Sequence, residues 1–309
     1  LRVTPSPMTV KVPTYSICNL RGVHHCMTEF TAYRIRDFME NHDSLVFPHR
    51  HNFFQIVLFT TGGGSHSIDF QHYEIIPGQL YCMKPGQMHS WSFTPETEGY
   101  IVNFNETFIT TACHNPNFMD DFPMFGTLRN PEQLNPEARL QIESHLKALF
   151  HEYETYQGEF QADLMRAMLM QLLIFIARSI EDPAVAGISK HSLALLRDFQ
   201  KLIDQHYRSL RLPKAYADML FITPNHLNAV CNAVAGKSAG ELIRDRVLLE
   251  AKRMLAQKQP TISEIGYALD FKDNAYFSRF FKKYTSQTPE EFRKNRGNFT
   301  SETPVQHRP

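Results

Sequence analysis

Long apolar runs are missing from this sequence. The most apolar stretch, Ala167 to Ala177 (AMLMQLLIFIA), falls far short of the roughly 20 residues that a bilayer-spanning helix needs, so no membrane partner is expected. Cysteine is scarce as well. The five present, Cys18, Cys26, Cys82, Cys113 and Cys231, are odd in number and form no C-x-x-C pair, which argues against a disulfide framework or a structural zinc site and for a reducing compartment. The first ten residues, LRVTPSPMTV, carry no apolar core of a secretory signal, and a soluble, cytoplasmic protein is expected. Net charge is lacking too, since 32 Lys and Arg balance 32 Asp and Glu, but the balance hides an asymmetry. Residues 1–186 carry 12 basic against 20 acidic side chains, and residues 187–309 carry 20 against 12. A basic segment joined to an acidic one fits a polyanion-binding module attached to something that should avoid polyanions.

At 309 residues the chain is long enough for two folded units. From about Arg34 to Phe108 short apolar runs such as Phe53 to Phe59 and alternation at Tyr100, Val102 and Phe104 indicate strands. Gly62-Gly63-Gly64, Pro77-Gly78 and Pro85-Gly86 punctuate them, as in a small jelly-roll barrel. Two long helices are predicted next, near Pro136 to Tyr156 and Phe160 to Ile180, with Leu164, Met168, Gln171, Leu172 and Phe175 at helical spacing. They are expected to pack beside the barrel. The second is apolar over much of its circumference, so part of it is also suited to meeting another subunit. Asp182 to Lys190 (DPAVAGISK) reads as a linker, and the chain beyond it as helical throughout. The expected fold is α+β: a β-barrel unit with two flanking helices over 1–181, a linker over 182–191, an all-α unit over 192–296 and a disordered tail over 297–309.

A repeat marks the helical unit. Leu227, Val230, Cys231 and Val234 form one apolar helix face, and Phe277, Phe280, Phe281 and Tyr284 repeat the spacing fifty residues later. Each helix follows a shorter one and a tight turn. Pro213 to Leu220 leads through Phe221-Ile222 to Thr223, a good N-cap, and Pro224, which suits the first helical position. Thr261-Ile262-Ser263-Glu264 is a capping box opening a helix to about Leu269, and a turn through Asp270-Phe271-Lys272 delivers the next helix at Asp273. These are two helix-turn-helix units. The faces opposite the apolar stripes are the expected DNA-reading surfaces: Asn225, Asn228, Ala229 and Asn232 in the first, Asn274, Ala275, Ser278, Arg279 and Lys282 in the second. Asn pairs bidentately with adenine, Arg with guanine, and Lys neutralises phosphate. A linker helix from about Glu241 to Gln257, roughly 25 Å long at 1.5 Å per residue, suits a strut that sets two reading helices in successive major grooves.

Ile265 to Lys283 (IGYALDFKDNAYFSRFFKK), followed by Thr288-Pro289-Glu290-Glu291-Phe292-Arg293, resembles the signature of the AraC/XylS family of transcription regulators. Tyr276-Phe277-Ser278-Arg279, Phe281-Lys282-Lys283, Pro289 and Arg293 are its most diagnostic parts. Arg246, Ala251 and Leu255 match the family's linker-helix spacing, and Gly236 sits where the first reading helix should end. The resemblance spans about residues 192–294. This chain departs from it at Asp270 and Ser286, where the family usually has Gly.

For a chain of this length the resemblance implies an N-terminal cupin-like barrel that binds a small-molecule effector and dimerises through adjacent helices. It further implies a ligand-responsive, sequence-specific regulator, an activator acting on promoter DNA with RNA polymerase as partner; no cofactor is expected. His49-Arg50-His51 before a strand and Pro85-Gly86-Gln87-Met88-His89 resemble the two cupin motifs. In metal-binding cupins such positions hold an ion, but Gln55 stands where a carboxylate is needed, so His49, His51 and His89 are weak metal candidates. Polar lining of an effector pocket, with Gln55, is the preferred use of these histidines, and ordinary core or surface positions the next. Arg36 is a candidate for meeting an effector carboxylate, and Trp91, Phe93 and Tyr100 for an aromatic wall. Two alternatives stay open: a metal-dependent cupin enzyme fused to a DNA-binding unit, and a nonspecific architectural DNA binder.

Overall fold

Ten strands pair into two five-stranded sheets in the computed structural model, which describes residues 13–20, 27–41, 48–111, 118–126, 131–180, 188–257 and 259–295. The expected tail over 297–309 and the 182–187 part of the linker lie outside the described residues. Two compact units part between Glu181 and Asp182.

In the first unit, one sheet orders β1 (Thr14–Tyr15), β3 (His49–His51), β8 (Met88–Phe93), β5 (Gly64–Ile68) and β6 (Gln71–Glu74). The other orders β10 (Glu132–Gln133), β7 (Gln79–Met83), β4 (Phe54–Thr61), β9 (Glu98–Phe104) and β2 (Phe30–Arg34). All pairs are antiparallel except β1 with β3. Strand alternation divides the core in two. Phe54, Ile56 and Leu58 on β4, with Tyr100, Val102 and Phe104 on β9, face α3 (Pro136–Thr155) and α4 (Gln161–Ser179). Val57, Phe59, Tyr81, Trp91 and Ile101 fill the space between the sheets.

The strand pattern expected from Arg34 is broken at once by the short helix α1 (Ile35–Asn41), and α2 (Glu106–Thr110) closes the barrel segment. On α4 the core face is Met165, Leu169, Leu172, Leu173 and Ile176; of the stripe expected through Leu164, Met168, Gln171, Leu172 and Phe175, Leu172 lies in that face and the others do not. Leu164 and Ile174 are exposed instead. A helix apolar nearly all round satisfies several stripes, and the side that faces α3 and the sheet decides among them.

The second unit is helical: α5 (Lys190–His206), α6 (Pro213–Met219), α7 (Pro224–Ala235), α8 (Ala239–Leu255), α9 (Ile262–Ala268), α10 (Asn274–Thr285) and α11 (Pro289–Asn295). Ser189 caps α5, so that helix begins inside the span read as linker. The linker helix α8 starts two residues earlier than the sequence suggested, because Ser238 and Glu241 form a capping box that carries Gly240 within the first turn. Arg246 fastens α8 to α5: its Nε donates to Asp204 at 2.6 Å, its Nη1 to Glu250 at 3.1 Å, and its guanidinium lies 4.1 Å from the Tyr207 ring centroid. Arg211, ahead of α6, donates to the Leu269 carbonyl at the end of α9 and stacks 4.9 Å from the Phe271 ring. The two helix-turn-helix pairs are thus tied by a charged side chain as well as by the apolar faces of α8.

Candidate nucleic-acid interface

Local capping sets the second helix of each pair, α7 and α10. Thr223 accepts from the His226 amide with Pro224 in the first turn, and Asp273 accepts from the Ala275 and Tyr276 amides. Leu227, Val230 and Cys231 bury one side of α7, and Phe277 and Phe281 one side of α10. With those sides fixed, the opposite ones carry Asn225, Ala229 and Asn232 on α7 and Ala275, Arg279 and Lys282 on α10, all exposed. The two sets match with the fifty-residue offset of the repeat. Asn, Arg and Lys offer donors to base edges and phosphates, while Ala229 and Ala275 let the backbone come close. Arg279 reaches back towards Asp273 at 3.8 Å, a loose pair with both side chains mostly in solvent, leaving the guanidinium free to turn outward.

Three sequence-predicted residues sit differently. Asn228 is half-buried, and its Oδ1 accepts from the Ala239 amide at 3.1 Å, satisfying an otherwise open donor at the start of α8. Ser278 is also half-buried, at the edge of its face. Asn274 turns inward: its Nδ2 donates to Ser263 Oγ at 2.8 Å, bracing α10 against α9. A Cβ added to Gly266 would stand 2.9 Å from Asn274 Oδ1, so α9 carries glycine where that side chain crosses it.

The backbone also holds a feature that sequence reasoning missed. Phe221, in the turn before α7, has φ 55° and is 95% exposed, and Asp270 in the corresponding turn has φ 59°. Left-handed backbone suits Gly, Asn and Asp, which makes Phe221 the strained member.

In the barrel unit, His49, His51 and His89 are buried and mutually close, with ring centroids of His89 at 4.2 Å from His49 and 4.9 Å from His51. A fourth histidine that the sequence did not single out, His66 on β5, joins them with its Nε2 3.3 Å from His89 Nδ1. Strand register was the available signal: β8 runs between β3 and β5, pairing His89 with His49 and Trp91 with His66. Trp91 lies among them, 5.0 Å from His89 and 5.2 Å from His66. Burial first, and then the neighbouring histidines, lower the pKa values of His51 and His66 to about 3 and that of His89 well below the usual range. A hydrogen bond from His51 Nδ1 to the Phe53 carbonyl, 2.7 Å, partly opposes the shift at His51.

Gln55 is buried, donating from Nε2 to Asn103 at 2.8 Å, with Asn103 donating to Thr31 at 3.2 Å. Tyr100 does not line the barrel interior. It lies on the other face of β9, its ring 5.3 Å from Phe150 of α3, because alternation gives the inward positions to Ile101 and Asn103. Arg36 is exposed on α1 and paired with Glu98, apart from the ring contacts that join the histidines. Phe93 is half-buried beside Trp91, 5.2 Å away.

Comparison with known proteins bears on both units. Residues 37–174 match the model of the AraC-like ligand binding domain, and residues 216–295 that of a helix-turn-helix domain. The transcriptional activator RhaS of Pectobacterium carotovorum is 22% identical over 254 residues, covering 80% of this chain and 88% of that protein. The arabinose operon regulatory protein of Escherichia coli is 24% identical, covering 70% and 72%. The uncharacterised regulatory protein YesN of Bacillus subtilis is 36% identical over 121 residues, where this chain spans a third of its length (38% and 33%). Among solved structures, ToxT of Vibrio cholerae with bound unsaturated fatty acid covers 92% of this chain and 100% of its own at TM-score 0.41 and 13% identity.

Proposed function

Since this chain belongs to the AraC/XylS family of DNA-binding transcription regulators, we propose that it recognises promoter DNA through α7 and α10 and that a small effector bound by the barrel unit controls this recognition. The observation that carries the reading is the matched pair of exposed faces, Asn225, Ala229 and Asn232 on one helix and Ala275, Arg279 and Lys282 on the other. Two short reading surfaces in one chain address two neighbouring stretches of a duplex, and the strut α8 separates them. The protein acts as an activator that engages RNA polymerase beside its site. It pairs as a homodimer through the outer side of α4, where Leu164 and Ile174 are exposed and Met168 and Phe175 half-buried, an apolar surface better covered than left wet. The effector works by binding one arrangement of the chain better than another, since only differential affinity shifts a population.

The enzyme alternative needs an ionised ligand or base where Gln55 stands, and the amide nitrogen there is committed to Asn103. Competition binding tests the reading. A specific regulator prefers its promoter site over shuffled DNA by about a thousandfold or more at physiological salt. Equal competition by shuffled DNA would leave only the architectural-binder reading standing.

A further inference from the structure

Arg211 stands just ahead of α6, in the first helix-turn-helix pair, yet its hydrogen bond and its ring contact both lie in the second. Nη2 donates to the carbonyl of Leu269, which caps the end of α9, and the guanidinium lies 4.9 Å from the centroid of the Phe271 ring. That ring is 6% exposed and passes the contact on to α10, 5.2 Å from Phe277 and 5.1 Å from Phe280. Arg211 therefore grips the turn that delivers α10. Burial lowers its pKa, and the Asp270 carboxylate leads the influences that oppose this. Asp270, at φ 59°, thus does more than occupy a left-handed turn position, since its charge favours the ionised arginine. The other end of α10 is seated as well, where the guanidinium of Arg244 on α8 lies 4.3 Å from the Tyr284 ring. A strut alone sets how far apart two helices stand. An attachment off its axis also sets the angle between them.

We propose that Arg211 is a positioning residue that fixes α10 relative to α7 and so makes the protein discriminate the number of base pairs between the two blocks of its DNA site. This rests on the two-block reading above. One added base pair moves the second block about 3.4 Å along the duplex and turns it about 35° around the axis. Two helices held at a fixed offset meet one such spacing without distorting themselves or the DNA, and every other spacing costs deformation. Arginine suits the task because its planar fork bonds a carbonyl at the edge while its face lies on a ring, which the point charge of lysine cannot do at once. Arg211 acts through Phe271 and α9, and the base preference within each block stays with the exposed faces of α7 and α10.

The test measures binding of the full chain to its selected site and to the same site with one base pair added or removed between the blocks. The parent chain should lose at least about tenfold on either change, comparable to a mismatched base pair. Arg211→Met keeps the length of the stem but neither the bond nor the charge. It should bind the best spacing more weakly, lose less than about threefold between spacings and select the same block sequences. Arg211→Lys should fall between the two. A merely structural loss weakens binding at every spacing alike, so parent-like discrimination by Arg211→Met overturns the proposal, as does a change of base preference in place of spacing. Should Arg211→Met fail to fold, Arg211→Lys decides, and undiminished discrimination there overturns it equally. A chain that selects no site, or a single block, defeats the regulator reading itself, whereas two blocks with unaltered spacing discrimination in the variants defeat this inference alone.

Discussion

Ser286 ends α10 in the same left-handed backbone conformation, φ 62°, that Gly236 adopts at the end of α7, φ 64°. Each amide closes its helix on the carbonyl four residues back, Lys282 and Asn232 respectively. Glycine takes this conformation without strain, and serine does not. Ser286→Gly should therefore stabilise the helical unit by about 1 kcal/mol, seen as a higher urea midpoint at unchanged slope. Gly236→Ala should cost about as much, although a Cβ there meets nothing within 4 Å, so the penalty is conformational and not steric. The same reasoning makes Phe221→Gly stabilising, since the exposed ring contributes little packing.

Asn228 and Asn232 lie on the same helix but answer to different partners. Asn228→Ala leaves the Ala239 amide without its acceptor and should destabilise the unit by about 1–2 kcal/mol, in addition to any effect on base preference. Asn232→Ala, fully on the exposed face, should leave the melting temperature unchanged and weaken binding to the preferred site by about 1–3 kcal/mol. Parallel melting and binding measurements on the two variants separate the roles.

Close approach of α9 and α10 is enforced at Gly266. Gly266→Ala forces Asn274 out of its place beside Ser263 and should cost about 1–3 kcal/mol. Pairing it with Asn274→Ala, which removes the obstructing atom, should recover part of that loss in a double-mutant cycle on urea midpoints.

Acid should loosen the barrel unit. His51 and His66 titrate near 3 when folded and near the ordinary histidine value when unfolded, so below about pH 6.5 the unfolded chain binds more protons. Their contribution is complete above that pH and is lost as the pH falls towards 3, with each site steepening the dependence by about 1.4 kcal/mol per pH unit. His66→Gln should show a shallower loss of stability between pH 6.5 and 4 than the parent chain. An identical slope would contradict the burial argument.

Elements whose cause is local were readable in the sequence. Thr223-Pro224, the Thr261–Glu264 box and the Asp273 cap each place a helix start by a bond within three residues. Strand alternation at Tyr100, Val102 and Phe104 was readable, but not which side is the barrel interior, because that depends on α3 covering one face. His66 escaped for a similar reason: only the pairing of β5 with β8 brings it to His89. The inward turn of Asn274 and the bond from Ala239 to Asn228 likewise join residues eleven apart on consecutive helices, beyond the reach of any single periodicity.

Selection of preferred duplexes from a random pool by the full chain, repeated with Asn232→Ala and with Arg279→Ala, tests the double-reading claim most directly. The account predicts two short sequence blocks about one helical turn apart, of which Asn232→Ala relaxes one and Arg279→Ala the other. A single block altered by both variants, or a selected site that neither one changes, would contradict it.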